Sequence, residues 1–319
     1  MESLDNQIVV SIQCLVYNHE PYLRQCLEGF VMQKTNFRFE AIVHDDASTD
    51  KSADIIREYA EKYPDIIKPI YEEENQYSKK QPGLIGRIMS AAMSPSSKYI
   101  AICEGDDYWI DPLKLQKQVD YMETHPECGL VYTNSRIFNQ STGMFSDVNF
   151  PKQTDFNGLL VESVIFTLTT CYKREFDLRY SQEIQVDPNW LMGDTPLWLF
   201  IAAQGPIKYL TDVTSVYRVL ENSASHSNDI NKTIRFCLSS YDIRIYFAKK
   251  YHCENLIKQI TVHHINELFK IAVSFDKSVS FLVAKMAWRN FVFSPLIWLK
   301  TILYATSCGR ELHRWRYTS

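Results

Sequence analysis

The feature that most constrains the fold is a cadence in the N-terminal third: a short apolar run, a polar cluster, then an amphipathic stretch, repeated. Residues 8–15 are rich in β-branched side chains, and Pro21 stands where a helix to about residue 33 begins, since proline suits a first helical turn. Residues 39–44 form a second apolar run. It ends in Asp45-Asp46-Ala47-Ser48-Thr49-Asp50, and Ala53, Ile56 and Ala60 then fall on one helical face. Residues 66–71 read as a third strand, 72–86 as a loop that is acidic and then basic, and 87–93 as a short helix. A fourth strand over 99–103 runs into Glu104-Gly105-Asp106-Asp107. Strands alternating with helices in this way predict an α/β fold, a mostly parallel sheet flanked by helices with ligands at the carboxyl ends of the strands.

Further along, Asp111 and Pro112 have the cap and first-turn chemistry of a helix to about residue 125, and 129–138 reads as a strand. Residues 139–157 look like loop, 160–172 like β-rich sequence, 196–203 like an apolar helix and 207–217 like a closing strand. After about residue 230 the pattern turns helical with no new strand-loop-helix repeat. An α/β domain over 1–229 and a helical C-terminal region over 230–319 are therefore expected. The latter interleaves Phe281, Phe291, Phe293, Trp298 and Tyr304 with Lys277, Lys285, Arg289, Lys300, Arg310, Arg314 and Arg316, opposed by Glu311. Pro295 and Lys300 interrupt its best spanning candidate, 291–308, and a span needs roughly 20 apolar residues. A basic aromatic stretch lying on an anionic membrane fits better.

A formal charge of −4 argues against a general nucleic-acid binder, which presents a basic face to phosphates. Eight scattered cysteines with no C-x-x-C read as buried thiols of a reducing compartment. The opening Met1-Glu2-Ser3-Leu4-Asp5 lacks the basic end and apolar run of a signal peptide, so a cytoplasmic location is expected.

Four places carry chemistry. Asp106 and Asp107, adjacent at a strand end, repel each other and need a cation or several donors to stay ionised; the alternative is a solvated turn. Asp45 to Asp50 offers a carboxylate for a ligand at Asp46 beside good helix-capping residues at Ser48, Thr49 and Asp50. Asp194 precedes Thr195-Pro196, where it could serve as a general base or as a helix cap. Tyr217-Arg218 followed by Ser223-Ala224-Ser225-His226 offers a phosphate partner and a metal ligand, although a histidine in a Ser-rich loop is more often solvent-exposed. Trp109 and Trp190 flank acidic motifs and could stack on a ligand or pack in the core. A Rossmann-type oxidoreductase is disfavoured, because Val16-Tyr17-Asn18-His19 stands where G-x-G-x-x-G would follow the first strand.

The run from Val10 to Glu20, the Asp45 to Asp50 cluster and the Glu104 to Asp107 cluster, in this order and spacing, resemble glycosyltransferase family 2 over roughly residues 8–226. The resemblance is strongest to bacterial members that build capsules, O-antigens and exopolysaccharides. It implies the GT-A fold, a Rossmann-like sheet binding a nucleotide-diphospho-sugar. It also implies that Tyr17 covers the base, Asp46 hydrogen-bonds it, and Glu20, Asp106 and Arg218 contact the donor. Asp107 and His226 would bind Mn²⁺ or Mg²⁺, and Asp194 would take the acceptor proton in an inverting transfer. A carboxylate accepting an imide N–H favours a UDP-sugar. A glycan or lipid-linked acceptor and peripheral attachment to the inner face of the cytoplasmic membrane complete the expectation. The alternative function is a non-catalytic nucleotide-sugar or glycan-binding partner of another transferase.

Overall fold

The structure is a computed structural model that describes residues 7–81, 83–147, 153–162, 165–221 and 229–272, with helical positions between 282 and 299. In chain order the elements are β1 (Ile8–Val16), α1 (Glu20–Val31), β2 (Arg38–Asp45), α2 (Ser52–Lys62), β3 (Ile67–Tyr71), α3 (Leu84–Ala92), β4 (Tyr99–Ile102) and β5 (Tyr108–Trp109). Then come α4 (Lys114–Thr124), β6 (Leu130–Asn139), β7 (Met144–Asp147), α5 (Phe156–Val161), β8 (Thr170–Lys173) and α6 (Arg174–Glu183). The last are α7 (Asp194–Gln204), β9 (Ile207–Val219), α8 (Ile230–Lys250) and α9 (Ile257–Ala272). They group into two compact units. The first holds Met1–Asp155, Val164–Pro188 and Phe200–Leu220; the second holds Phe156–Ser163, Asn189–Leu199 and Glu221–Ser319.

The first unit contains one sheet in the order β3-β2-β1-β4-β8-β6-β9-β5, with β7 added to β6. From β3 to β4 every pairing is parallel, as the strand-helix cadence requires. Beyond β4 the sheet is mixed: β8 runs antiparallel to β4 and β6, β9 parallel to β6, and β5 antiparallel to β9. Register decides where the polar clusters go. Val16 pairs with Asp45 and Gln13 with Ile102, so residues 17–20, 46–50 and 104–107 leave the sheet along one edge.

The apolar runs fill the core: Val10, Ile12, Cys14, Leu23, Leu27, Phe30, Ala41 and Val43 are fully buried. Trp109 is part of it. Its ring meets Phe30 edge-on at 5.1 Å and its Nε1–H donates to the Leu168 carbonyl at 2.9 Å. Gly29 is fixed by this contact, since a Cβ there would lie 2.9 Å from the Trp109 backbone nitrogen.

Helix α4 begins at Lys114 without a side-chain cap rather than at Asp111 and Pro112, Asp111 accepting the Leu113 N–H in the turn before it, and three further stretches differ from expectation. Residues 144–147 pair with β6 as a hairpin rather than loop, turning through Gly143 at φ +68 with the Asn139 side chain accepting from the Ser141 and Thr142 N–H groups. Every residue of β7 is exposed, so it carries no burial pattern to read. Among the described residues of 160–172 only β8 is strand, preceded by α5, whose Leu159 and Leu160 are buried. Helix α6 was not anticipated, and Phe176 is its buried residue.

In the second unit, Asp229 caps α8 by accepting from the N–H groups of Asn231 and Lys232. Helix α9 contributes Ile265, Leu268 and Phe269 to a separate core with Val283, Met286 and Ile297. Among the described residues no helix is long and apolar enough to cross a membrane.

Lys114 is fully buried, with Nζ 4.3 Å from the Trp109 ring centroid and 2.8 Å from the Gln118 Oε1 that accepts its proton. Burial holds it down at about 8 against the usual 10.5. Between these pH values the unfolded chain binds the proton more readily, so this group makes stability rise with pH across the window. Lys114→Met is expected to be more stable than the wild type at pH 8 by ~1–3 kcal/mol. The gap should narrow towards pH 10.5, as denaturant titrations at each pH will read.

Candidate functional site

The loops after β1 and β2 are clasped together. Asn18 and Ala47 both adopt positive φ, at 55 and 60, which turns their chains towards each other. The Asn18 N–H donates to Ser48 Oγ at 2.9 Å, and the Thr49 N–H donates back to Asn18 Oδ1 at 2.8 Å. The His19 N–H donates to Ser52 Oγ and the Glu20 N–H to Asp50 Oδ2, while the Glu20 carboxylate accepts from the Lys51 N–H at 3.1 Å. Ser48 and Asp50 therefore accept from the backbone that leads into α1, and Asp50 Oδ1 also accepts from the Ser52 N–H that opens α2, whose N-cap position, Lys51, makes no side-chain cap bond. Asp50 is held below the usual carboxylate range by these donors, against the opposing effect of its partial burial.

Tyr17 stands beside this clasp, 46% exposed. Asp46 is 1% exposed and accepts two backbone N–H groups, from Gln76 at 2.6 Å and Tyr77 at 3.1 Å. Asn75 adds a bond from its side chain to the Asp46 carbonyl. The loop after β3 is thus gathered onto Asp46, a contact the sequence reading missed. The Asn75-Gln76 amides in an otherwise acidic loop are the signal that could have shown it.

The turn after β4 brings Glu104, Asp106 and Asp107 together. Asp107 is 4% exposed, and burial first, then the charges of Asp106 and Glu104, push its carboxyl well above the usual range. Arg218 on β9 opposes this: its backbone N–H donates to Asp107 Oδ1 at 2.7 Å and its Nε–H to the Asp106 carbonyl at 2.7 Å. The guanidinium was expected to pair with phosphate. It faces protein instead, donating to Gln140 and to Gln25 Oε1 and lying 4.8 Å from the Tyr22 ring and 5.3 Å from Tyr108. At 6% exposed, it is placed to hold the acidic turn.

His19 packs on that turn from the β1 side. A Cβ on Gly105 would lie 2.7 Å from His19 Nδ1, so glycine is required there by packing rather than by backbone angle. Nδ1 is buried without a hydrogen-bond partner, and desolvation lowers the imidazole pKa against the raising influence of Asp106 and Asp50. Beneath the turn, the Cys26 thiol donates to the Glu104 carbonyl at 3.4 Å.

In the second unit, Asp194 opens α7 and is half-buried, its Oδ1 accepting from the Thr195 N–H at 2.6 Å. The capping role and a base role are compatible, since a helix N-terminus stabilises a carboxylate. Trp190 is half-buried and packs edge-on against Tyr246 of α8 at 5.2 Å, whereas Trp109 is core. His226 lies outside the described residues.

Register thus brings Tyr17, Glu20, Asp46, Asp106, Asp107 and Arg218 to one sheet edge. Among the described residues no group of three or more acidic, histidine or cysteine side chains could hold a metal by itself. Asp107, with one oxygen held by Arg218, suits a hard cation completed by phosphate oxygens, the mode in which Mg²⁺ is commonly bound.

Comparison with known proteins gives a consistent result. The family model Glycosyl transferase family 2 matches residues 11–173. The uncharacterized protein Rv1520 of Mycobacterium tuberculosis is 33% identical over 223 residues, covering 68% of this chain and 61% of the relative, so the chain spans about three fifths of that protein's length. The UDP-Glc:alpha-D-GlcNAc-diphosphoundecaprenol beta-1,3-glucosyltransferase WfaP of Escherichia coli is 27% identical over 232 residues, covering 71% of this chain and 83% of WfaP. Among solved structures, S. aureus TarS in complex with UDP-GlcNAc is similar, with a TM-score of 0.56 at 16% identity over 98% of this chain and 93% of that one, a likeness of fold.

Two variants test the turn. Removing the strained charge by Asp107→Asn is expected to stabilise the ligand-free protein by ~1 kcal/mol, raising its melting temperature by about 2–4 °C. Gly105→Ala is expected to displace His19 and lower the melting temperature. Gly86→Ala, where a Cβ meets nothing within 4 Å, is expected to leave it unchanged or slightly raised.

Proposed function

The chain belongs to glycosyl transferase family 2, and on that premise we propose that it transfers a sugar from a UDP-sugar to a hydroxyl of a lipid-linked glycan in surface polysaccharide synthesis. The observation that carries the reading is the convergence of Tyr17, Asp46, Asp106 and Asp107 at one sheet edge. Tyr17 offers an exposed ring for the base. Asp46 is already ordered by two N–H groups and keeps lone pairs for an imide N–H, since each carboxylate oxygen can accept twice. Glu20 and Asp106 border the same edge and are assigned to the donor. The relative WfaP has a UDP-glucose donor and a diphosphoundecaprenol acceptor in its name.

Asp107, with His226 as a further ligand, would hold Mn²⁺ or Mg²⁺ against the donor diphosphate. When bound, the ion supplies positive charge to the leaving UDP. Arg218 fixes the backbone of the Asp106-Asp107 turn rather than touching phosphate. Asp194 accepts the proton of the attacking hydroxyl as its oxygen bonds to the anomeric carbon. The carbon–oxygen bond to phosphate breaks, UDP leaves with the electron pair, and configuration inverts without a covalent enzyme intermediate. The 1–229 and 230–319 division assigns donor binding to the former and membrane contact to the latter. Exposed Trp288, Leu296 and Leu299 beside exposed Lys285 support peripheral binding to the anionic inner face of the cytoplasmic membrane.

Calorimetric titration of UDP, GDP and CMP with and without Mn²⁺ is expected to show Mn²⁺-dependent binding of UDP, weakened at least about tenfold by Asp107→Ala. Asp194→Asn is expected to keep UDP affinity while lowering UDP release from UDP-sugars by about 10²–10⁴-fold. UDP binding without release from any donor, unchanged by Asp194→Asn, would identify a non-catalytic binding partner. A chain truncated after residue 276 that still sediments with anionic vesicles would refute the membrane assignment.

A further inference from the structure

The loop gathered onto Asp46 is itself acidic, with Glu72, Glu73 and Glu74 in succession, so like-charge repulsion would drive it away from Asp45 and Asp46. A chain of hydrogen bonds that starts inside the sheet opposes this. His44 is fully buried on β2, and its Nε2 lies 3.1 Å from Glu72 Oε1. The imidazole Nδ1 is buried without a partner and a carboxylate can only accept, so Nε2 carries the proton and donates it to Glu72. The other oxygen, Glu72 Oε2, accepts from Gln76 Nε2 at 2.9 Å, and that amide also donates to the Glu74 carbonyl at 2.9 Å. The Gln76 backbone N–H then donates to Asp46 Oδ1 at 2.6 Å.

Further contacts stiffen this path. The Glu72 N–H donates to the Asp45 carbonyl at 3.0 Å, one residue beyond the last β2–β3 pair, and so fixes where the Glu72 side chain starts. Asn75 closes the turn: its Oδ1 accepts the Ser78 N–H at 2.7 Å and its carbonyl accepts from the Ser78 hydroxyl at 2.8 Å. Gln76 and Tyr77 therefore present their N–H groups to Asp46 from a backbone held on both sides. A carboxylate fixed by two donors offers a ligand only the lone pairs those donors leave, so whatever sets the donors sets the direction in which Asp46 accepts.

We propose that His44, Glu72 and Gln76 are the positioning residues of Asp46 and thereby set the selection of the nucleotide base. The proposal rests on the reading of Asp46 as acceptor of the base imide N–H. His44 touches no ligand and acts through Glu72 and Gln76. A base with a donor at that position gains a hydrogen bond, whereas one with an acceptor there meets a lone pair that has no freedom to turn away.

The first arm of the test needs no ligand. Amide hydrogen exchange of the ligand-free protein is compared between the wild type and Glu72→Ala, which cuts the chain at a side chain 19% exposed. The Gln76 and Tyr77 N–H groups are expected to exchange at least about tenfold faster in the variant, with Ile12 on β1 unchanged. Unchanged exchange at Gln76 and Tyr77, or equal acceleration at Ile12, overturns the proposal. The second arm titrates UDP and CDP in Mn²⁺, because cytosine carries an acceptor where uracil carries the imide N–H. The wild type is expected to favour UDP at least about tenfold, and Glu72→Ala to narrow that preference to within about threefold. His44→Leu is expected to act in the same direction, with His44→Gln, which keeps a donor, recovering part of the preference. A loss of affinity for both nucleotides at a constant ratio assigns the chain a structural role and overturns the proposal. Faster exchange at Gln76 and Tyr77 in a protein whose wild type does not tell UDP from CDP supports the positioning of Asp46 and counts against its reading as the base acceptor. Should His44→Leu fail to fold, Gln76→Ala cuts the chain from the half-buried loop and is expected to give the same narrowed preference.

Discussion

The pair of carboxylates that ends β4 is the constraint on which the rest of the first unit depends. Asp107 is buried beside Asp106 and Glu104, an arrangement that electrostatics alone would disfavour. What opposes it comes from a distance of 111 residues along the chain: the backbone N–H of Arg218 on Asp107, and its side chain on the Asp106 carbonyl. That contact needs β9 to reach the mouth of β4. The long parallel pairing of β9 with β6, which sets Arg218 beside Phe138, and the short antiparallel pairing with β5 bring it there. The mixed half of the sheet is therefore the device that steadies the acidic turn left by the parallel half. Part of the opposition is left unfilled, and the strain that remains at Asp107 is what a divalent cation would relieve.

Much of this fold is legible in the sequence where burial imposes a period. Strands β1, β2, β3, β4 and β9 fall within a residue or two of their runs; for β1, β2 and β4, whose residues are mostly buried, this is because a strand covered on both faces reads as a continuous apolar run. The parts that were not legible lack that imprint. Strand β7 is exposed along its length, and α6 has one buried side chain to mark it. The 160–172 stretch was apolar enough for strand or helix, and tertiary packing decided.

The site was legible in its residue types and less so in its contacts. Asp46, Asp106 and Asp107 stand at the strand ends where the cadence put them. Of the capping expected from Ser48 to Asp50, α2 shows the Asp50 bond to the Ser52 N–H, whereas Ser48 and Thr49 bond Asn18 across the clasp, and hydrogen bonds between two loops leave no local signature. Arg218 shows the limit most clearly. The family resemblance implies a phosphate contact for it, and nothing along the chain shows that packing surrounds its guanidinium with Tyr22, Tyr108 and Phe138.

These features converge on one proposal: the acidic turn after β4 is ordered, and its carboxylates crowded, so that a cation on a nucleotide diphosphate would relieve them. The measurement that tests it most directly is the anomalous difference map of a crystal grown with UDP and Mn²⁺. The account predicts a single manganese peak within coordination distance of the Asp107 carboxylate and of both phosphates, with the uracil between Tyr17 and Asp46. UDP bound at this edge with no manganese at Asp107, or manganese bound elsewhere, would contradict it.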